Sequence, residues 1–319
     1  MPNLYLTHKC RRGCPFCFAR KVLKQAGGDV EEFLTIEEVR TLLDHYGSIH
    51  PPVLGLLGGE PFLYPHLAEL FALLKERGIY SKIFTSATEP LHEALVSIEL
   101  EEAVSRMNFV VNVGPRDSYS EEKYANLVHF FRKFGPISSL SFTIFDLGAD
   151  PSYLFDLIDC YNLSRNIRVG IALPIYNGGN SYIPKEEYKS AGDYFVWVAE
   201  LAARREISLS MDCGFTACMF TTEQLGRLER LGAGMNFLCG AAIDIGPKLQ
   251  AWNCFPLFQL GRVDALSVGS MQELDQLLLR RNEEVLGPRT GIFEACFSCE
   301  LMRRGLCQGG CRSFHSTKE

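Results

Sequence analysis

Eight residues near the start of the chain hold three cysteines, Cys10, Cys14 and Cys17, with three and then two residues between them. Three thiolates can wrap one corner of a metal cluster but cannot close a tetrahedral zinc site. On a [4Fe–4S] cluster they leave one iron without a protein ligand, and a small molecule can bind there. A zinc knuckle short of one ligand and three unrelated buried thiols are the competing readings. The strand-like run Leu4–Thr7 leads into the trio, which sets it at a strand end and favours the cluster.

Nine further cysteines follow. Cys160 stands alone inside a helical stretch, where a small buried apolar residue is expected. The other eight are Cys213, Cys218, Cys239, Cys254, Cys296, Cys299, Cys307 and Cys311, the number that two four-thiolate clusters use. Gly309-Gly310, between the last pair, permits the tight turn that wrapping a cluster needs. A structural zinc site made of Cys296, Cys299, Cys307 and Cys311 is the competing reading, since zinc ribbons also use Cys-x-x-Cys pairs.

These side chains need a scaffold, and the hydrophobic period supplies one. Strand-like runs at Asn3–Thr7, Val53–Leu57, Ser81–Thr85, Asn108–Val113, Ser139–Phe145 and Ile167–Leu173 alternate with amphipathic stretches of helical period. The latter are Thr35–Gly47, His66–Arg77, Pro90–Ala103, Ser120–Phe134, Pro151–Asn162 and Lys185–Arg205. Thr35 with Glu38 three residues on forms a capping box. Six strand–helix units predict a parallel sheet with crossover helices. In such a sheet the loops at the C-terminal strand ends build the site. Strand one feeds Cys10, and strand two ends in Gly58-Gly59-Glu60-Pro61, where two glycines admit close backbone approach beside a carboxylate.

The 319 residues suffice for one large unit and a smaller one. A net charge of −6 gives no footing for a nucleic-acid backbone. No run approaches 18 continuous apolar residues, and no signal peptide precedes the first strand, so neither a membrane nor an export route is expected. The cysteines are therefore expected in a reducing cytoplasm, where clustered thiols bind metal more often than they form disulfides.

The cysteine spacing, with the aromatic Phe16 directly before the third cysteine, resembles the signature of the radical S-adenosylmethionine (radical SAM) family. The resemblance implies an α/β fold: a partial (β/α)6 TIM-like barrel over residues 1–206, followed by a small cysteine-rich auxiliary cluster domain over residues 207–319. It also implies a set of S-adenosylmethionine contacts. Phe16 belongs to the cofactor-binding trio loop. Gly58-Gly59-Glu60 looks like the family's turn that holds the methionine amino group. Ser86 and Asn112, after strands three and four, would meet the ribose or the methionine carboxylate, or else make local turn hydrogen bonds. Leu173, after strand six, would pack on adenine. Asp146 is expected to cap a turn.

The second cysteine field resembles the SPASM and Twitch extensions, which hold auxiliary [4Fe–4S] clusters. Cys239 and Cys254 fit the leading pair in spacing, although Leu249 stands where that pattern has glycine. Seven residues, not the pattern's five, separate Cys299 from Cys307, and no cysteine follows Cys311. By resemblance, Cys239, Cys254 and Cys311 hold an inner cluster and Cys296, Cys299 and Cys307 an outer one. One of Cys213 and Cys218 would complete each, so one or two auxiliary clusters are expected.

The family's activity implies reductive cleavage of S-adenosylmethionine to a 5′-deoxyadenosyl radical, which takes a hydrogen atom from the substrate. Auxiliary clusters suit net oxidation, a dehydrogenation or a crosslink, of a peptide. The alternative is oxidation of a small biosynthetic intermediate, and the third reading a non-catalytic electron carrier. Asp212, at a strand end beside Cys213, is the candidate base, with a capping role as its alternative. A one-electron reductant such as flavodoxin or ferredoxin is the implied partner. With the trio starting at residue 10, a leader peptide would need a separate binding protein or would be bound by other means.

Overall fold

The computed structural model describes residues 2–19, 33–47, 49–175 and 179–316. The expected runs become β1 (Asn3–Tyr5), β2 (Val53–Leu57), β3 (Tyr80–Thr85), β4 (Met107–Asn112), β5 (Ser138–Ile144) and β6 (Asn166–Ile171). The helices between them are α1 (Ile36–Tyr46), α2 (Leu67–Glu76), α3 (Glu93–Val96), α4 (Leu100–Val104), α5 (Glu121–Phe134), α6 (Ser152–Tyr161) and α7 (Tyr188–Ala203). Adjacent strands pair in parallel from β1 to β6. This is the strand–helix alternation read from the sequence, with one break. The run Pro90–Ala103 splits into α3 and α4, because Glu99 is extended and Ile98 turns into the core.

Local chemistry sets the helix ends. Thr35 and Glu38 form the reciprocal cap of α1, Ser120 accepts from the Lys123 N–H at the start of α5, and Asn162 closes α6 in the left-handed conformation. Each cap satisfies backbone groups that a helix end otherwise leaves without partners.

The run ending at Met211 joins the sheet as β7 (Ser208–Met211), parallel to β6, so the barrel continues one strand past the six expected. After α8 (Thr222–Arg230), the chain returns to the opposite edge. There β8 (Ile243–Ile245) lies parallel to β1, and β9 (Gln250–Asn253) and β10 (Val263–Asp264) follow antiparallel. The sheet order is β10-β9-β8-β1-β2-β3-β4-β5-β6-β7. Strands of two to four residues carry too little alternation to stand out in a sequence. The chain then runs through α9 (Met271–Leu286) and α10 (Glu300–Arg303). Among the described residues no helix is long and apolar enough to cross a membrane.

Alternation along each strand divides the sheet into two unlike faces. Leu4, Leu56, Ile83, Phe109, Leu140, Val169 and Leu209 are buried in one core with the helices, each worth about 1.5–3 kcal/mol of burial. The other face carries half-buried Lys82, Ser139, Ser141, Asn166, Arg168, Ser208 and Ser210. Asn166 ties β6 to β7 through both Ser208 and Ser210, each at 2.9 Å. A parallel sheet normally buries both faces in apolar packing. A polar inner face instead suits a site.

One carboxylate on that face is fully enclosed. Asp244 of β8 accepts from Asn3 Nδ2 at 2.8 Å, and burial pushes its carboxyl up to about 7 against that hydrogen bond. An unfolded Asp titrates near 3.9. Between these values the unfolded chain sheds a proton that the folded chain keeps, so the contribution is full below about pH 4 and lost as pH rises to about 7. At 1.36 kcal/mol per unit the loss is about 4 kcal/mol. Asp244→Asn is expected to remove this slope: urea unfolding at pH 5 and pH 8 should show the variant gaining relative to wild type at the higher pH. An unchanged difference between the two pH values refutes it.

Candidate metal and cofactor site

The cysteine trio sits on a loop that continues β1, and the turn after β2 closes on it. The Gly59 N–H donates to the Thr7 carbonyl and the Glu60 N–H to the Lys9 carbonyl, both at 2.7 Å. A Cβ on Gly59 would overlap the Lys9 carbonyl and lie 3.0 Å from Cys10 Cβ, and one on Gly58 would lie 2.8 Å from the Thr7 oxygen. Only glycine permits that approach.

The Glu60 side chain turns inward. Its carboxylate accepts from the Thr85 hydroxyl at 2.5 Å, the Ser86 hydroxyl at 2.7 Å, the Ser86 N–H at 2.9 Å and the Phe62 N–H at 3.3 Å. Burial pushes the Glu60 carboxyl up, and these four donors pull it back. It therefore ties β2 to β3, and the turn's backbone is what remains for a ligand. Ser86 Oγ also lies 2.9 Å from Thr88 Oγ1, the local bonding named as its alternative.

Four more strand-end loops hold the trio loop. Arg11 pairs with Glu89 at 3.0 Å, and Arg12 donates to the Asn112 carbonyl and to the Tyr119 hydroxyl, the latter at 3.1 Å. The Pro15 carbonyl accepts from the Ser181 N–H at 2.9 Å. Asn180 Nδ2 donates to the Leu173 carbonyl at 2.9 Å and the Phe16 carbonyl at 3.4 Å. The Phe16 ring packs on Phe145 at 4.8 Å. Phe16, Leu173 and Asn112 are thus brought to one mouth, while Asp146 accepts from the Gly148 N–H in a local turn, as expected. Sequence reasoning missed Arg11, Arg12, Tyr119 and Asn180. The arginine pair inside the cysteine spacing was the one available signal, since Asn180 acts on backbone atoms of remote segments.

Burial pushes Cys10 up to about 11, a backbone hydrogen bond at Arg12 opposes this, and Glu60, Cys14 and Cys17 add to the rise. Thiolates on a pinned loop suit a cation, which displaces their protons as it binds.

The remaining eight thiols divide into two groups of four. Burial pushes Cys254 up, and Cys311, Cys239 and Cys213 add to it. Burial likewise pushes Cys296 up, with Cys218, Cys299 and Cys307 contributing. Cys213 thus acts on the thiol of Cys254, and Cys218 on that of Cys296. Cys213 keeps accessible surface, yet desolvation dominates the upward shift of its thiol. Both hold if it lines a recess. Among the described residues no three Cys, His, Asp or Glu side chains converge on a point for one metal ion.

Backbone conformation supports this wrapping. Gly309 and Gly310 take φ of +69° and +90°, and the Gly309 N–H meets Cys307 Sγ at 3.4 Å. Leu249, standing at the pattern's glycine position, adopts the left-handed conformation at φ +52°. It bears a cost of roughly 1–2 kcal/mol for a non-glycine residue. Gln308 accepts from the Cys239 N–H at 2.8 Å, linking the two groups. Asp212 is held by Arg168 at 2.7 Å on the inner face beside Cys213. Cys160 was expected to be buried; it is exposed on α6, whose buried residues are Leu154, Phe155, Leu157 and Ile158.

Gly59→Ala should displace the trio loop and leave the auxiliary groups intact. Anaerobic reconstitution is expected to yield a folded protein short of roughly four irons, one [4Fe–4S] cluster. Full iron content in this variant refutes the close-approach argument.

Residues 4–135 match the sequence profile of the Radical SAM superfamily. Fe-coproporphyrin III synthase of Methanosarcina barkeri is 32% identical over 83 residues, 26% of this chain and 20% of that protein. PqqA peptide cyclase of Granulibacter bethesdensis is 35% identical over 81 residues, 25% and 21% of the two chains. The matched stretch spans about a fifth of each relative's length. The fold resembles Streptococcus suis SuiB bound to precursor peptide SuiA, with a TM-score of 0.66 and 14% identity over 97% of this chain and 71% of that one. It also resembles anSMEcpe with bound AdoMet, with a TM-score of 0.63 and 16% identity over 100% and 91%. Residues 4–135 thus resemble the Radical SAM superfamily in sequence, and the chain shares its fold with SuiB and anSMEcpe.

Proposed function

We propose that the protein is a radical SAM enzyme that oxidatively modifies a peptide. The observation that carries the reading is the Cys10/Cys14/Cys17 loop held at the barrel mouth by the Gly58-Gly59-Glu60 turn, within the residues that match the Radical SAM profile. Bound to the trio, a [4Fe–4S] cluster and S-adenosylmethionine would supply the 5′-deoxyadenosyl radical.

The chain's own residues position and shield that chemistry. Cys10, Cys14 and Cys17 hold the cluster. The backbone of Gly58, Gly59 and Glu60 takes the methionine amino group. Phe16 and Leu173, joined by Asn180, flank the adenine, and Asn112 and Ser86 border the remaining polar end. Asp212 is the base or, through Arg168, an orienting group for the substrate. Cys213, Cys239, Cys254 and Cys311 hold the inner auxiliary cluster, and Cys218, Cys296, Cys299 and Cys307 the outer one. Residues 1–206 act as the radical-generating unit and 207–319 as the auxiliary cluster unit. Two further clusters give the electron lost by an oxidised substrate somewhere to go, and a flavodoxin or ferredoxin completes the circuit.

The peptide substrate is supported by SuiB, whose structure with its precursor peptide aligns over nearly all of this chain, and by the PqqA peptide cyclases. A small-molecule substrate is the second reading, favoured by the match to Fe-coproporphyrin III synthase.

The reconstituted protein is expected to bind roughly twelve irons, three [4Fe–4S] clusters. Cys14→Ala should lower this by about four and abolish formation of 5′-deoxyadenosine from S-adenosylmethionine under reducing conditions. Deuterium passing from a labelled precursor peptide into 5′-deoxyadenosine identifies the substrate class. Zinc in place of iron, or cleavage that survives Cys14→Ala, overturns the reading.

A further inference from the structure

Two tyrosine hydroxyls are buried with no hydrogen-bond partner, those of Tyr5 and Tyr188, and they are the only such side-chain hydroxyls among the described residues. Tyr5 is 0% and Tyr188 2% exposed. An unmet buried donor costs about 1–3 kcal/mol, and a native fold retains one where something supplies the acceptor.

Both rings pack against segments that carry the cysteines. Tyr5 ends β1, and its ring packs with Cys17, Ala19, Trp252 and Phe255, at 5.9 Å from Trp252 and 5.1 Å from Phe255. Cys17 and Cys10 are foremost among the charges that act on its hydroxyl, followed by Asp244. Tyr188 begins α7, and its ring meets Phe293 at 5.7 Å and Phe314 at 5.9 Å. Phe293 is hydrogen-bonded through its backbone to Cys296, and Phe314 to Cys311. The charges acting on the Tyr188 hydroxyl are Cys311 of the inner group and Cys218 of the outer one. The His8 ring also meets the Tyr5 ring, at 5.1 Å.

We propose that each hydroxyl donates a hydrogen bond to cluster sulfur, Tyr5 at the trio and Tyr188 at the auxiliary groups, and that the two are positioning residues setting separate reduction potentials. The inference rests on the iron–sulfur reading above. A phenol O–H is a donor of suitable strength. Hydrogen bonds to thiolate or sulfide sulfur stabilise the reduced, more negative cluster and raise its potential. Tyr5 would thereby ease reduction of the trio cluster, and Tyr188 would set how readily the auxiliary groups accept an electron.

The test uses the full-length reconstituted protein and its Tyr5→Phe and Tyr188→Phe variants, which keep the rings and remove only the hydroxyls. Potentials are read by redox titration followed by electron paramagnetic resonance, the trio signal being the one that changes when S-adenosylmethionine is added. Tyr5→Phe should shift the trio midpoint to more negative values and leave the auxiliary midpoints in place. Tyr188→Phe should do the reverse, with iron content unchanged in both. Unmoved potentials, or the same shift in every cluster from either variant, overturn the proposal.

A second measurement does not depend on the variants folding. Electron–nuclear double resonance of the reduced wild-type trio cluster should detect an exchangeable proton that disappears in D2O, and its absence also overturns the Tyr5 assignment. If the protein binds no iron or cleaves no S-adenosylmethionine, the proposed function falls first. If it does both and Tyr5→Phe changes nothing, this inference alone falls.

Discussion

The whole site depends on the contact between the turn after β2 and the start of the cysteine loop. Two backbone hydrogen bonds, from Gly59 and Glu60 to the Thr7 and Lys9 carbonyls, carry the β1–β2 pairing beyond the strands themselves. That extension makes the loop a rigid continuation of the sheet. Any side chain at position 59 would separate the two segments. Glu60 then transmits the constraint sideways, since its buried carboxylate is fully occupied by the end of β3. A catalytic loop built this way has its geometry decided by sheet register, which is stiffer than loop packing.

The second constraint is the unlike character of the two sheet faces. Apolar residues turned to the helices supply the core, which leaves the inner face free to carry Lys82, Arg168, Asn166 and the serines. Arg168 and Asp212 pair there at 2.7 Å, and the Arg168 guanidinium also lies over the Phe84 ring at 5.4 Å. A polar lining that satisfies itself sideways remains open to a ligand from above. Ligands of parallel α/β sheets enter at the C-terminal strand ends, where the cysteine loop, Phe16 and Leu173 meet.

The C-terminal segment does more than append a cysteine-rich tail. Strands β8 to β10 extend the same sheet beyond β1, so Asp244 pairs with Asn3, and Trp252 and Phe255 pack against Tyr5. Cys254 lies between those two aromatic residues in sequence. The segment of Cys254 is therefore registered to the trio loop through one continuous sheet and one aromatic cluster. Elsewhere, Cys311 and Cys218 both act on the buried Tyr188 hydroxyl.

The sequence by itself determined the kind of scaffold and which cysteines share the loop after the first strand. The spacing of Cys10, Cys14 and Cys17, the Gly-Gly-Glu turn and six alternating strand–helix units are local patterns, set by covalent spacing and hydrophobic period. Helix caps at Thr35, Ser120 and Asn162 were legible for the same reason. Tertiary structure alone decided the rest. Which of Cys213 and Cys218 belongs to which group depends on where β7 and the turn after it stand in space. Cys160 lies outward because the face that α6 buries runs through Leu154, Phe155, Leu157 and Ile158. The short strands β8 to β10 exist through their partners, and Asn180 acts on carbonyls far away in the chain. Spacing along a chain encodes which atoms a loop can bring together; only packing encodes which separate loops meet.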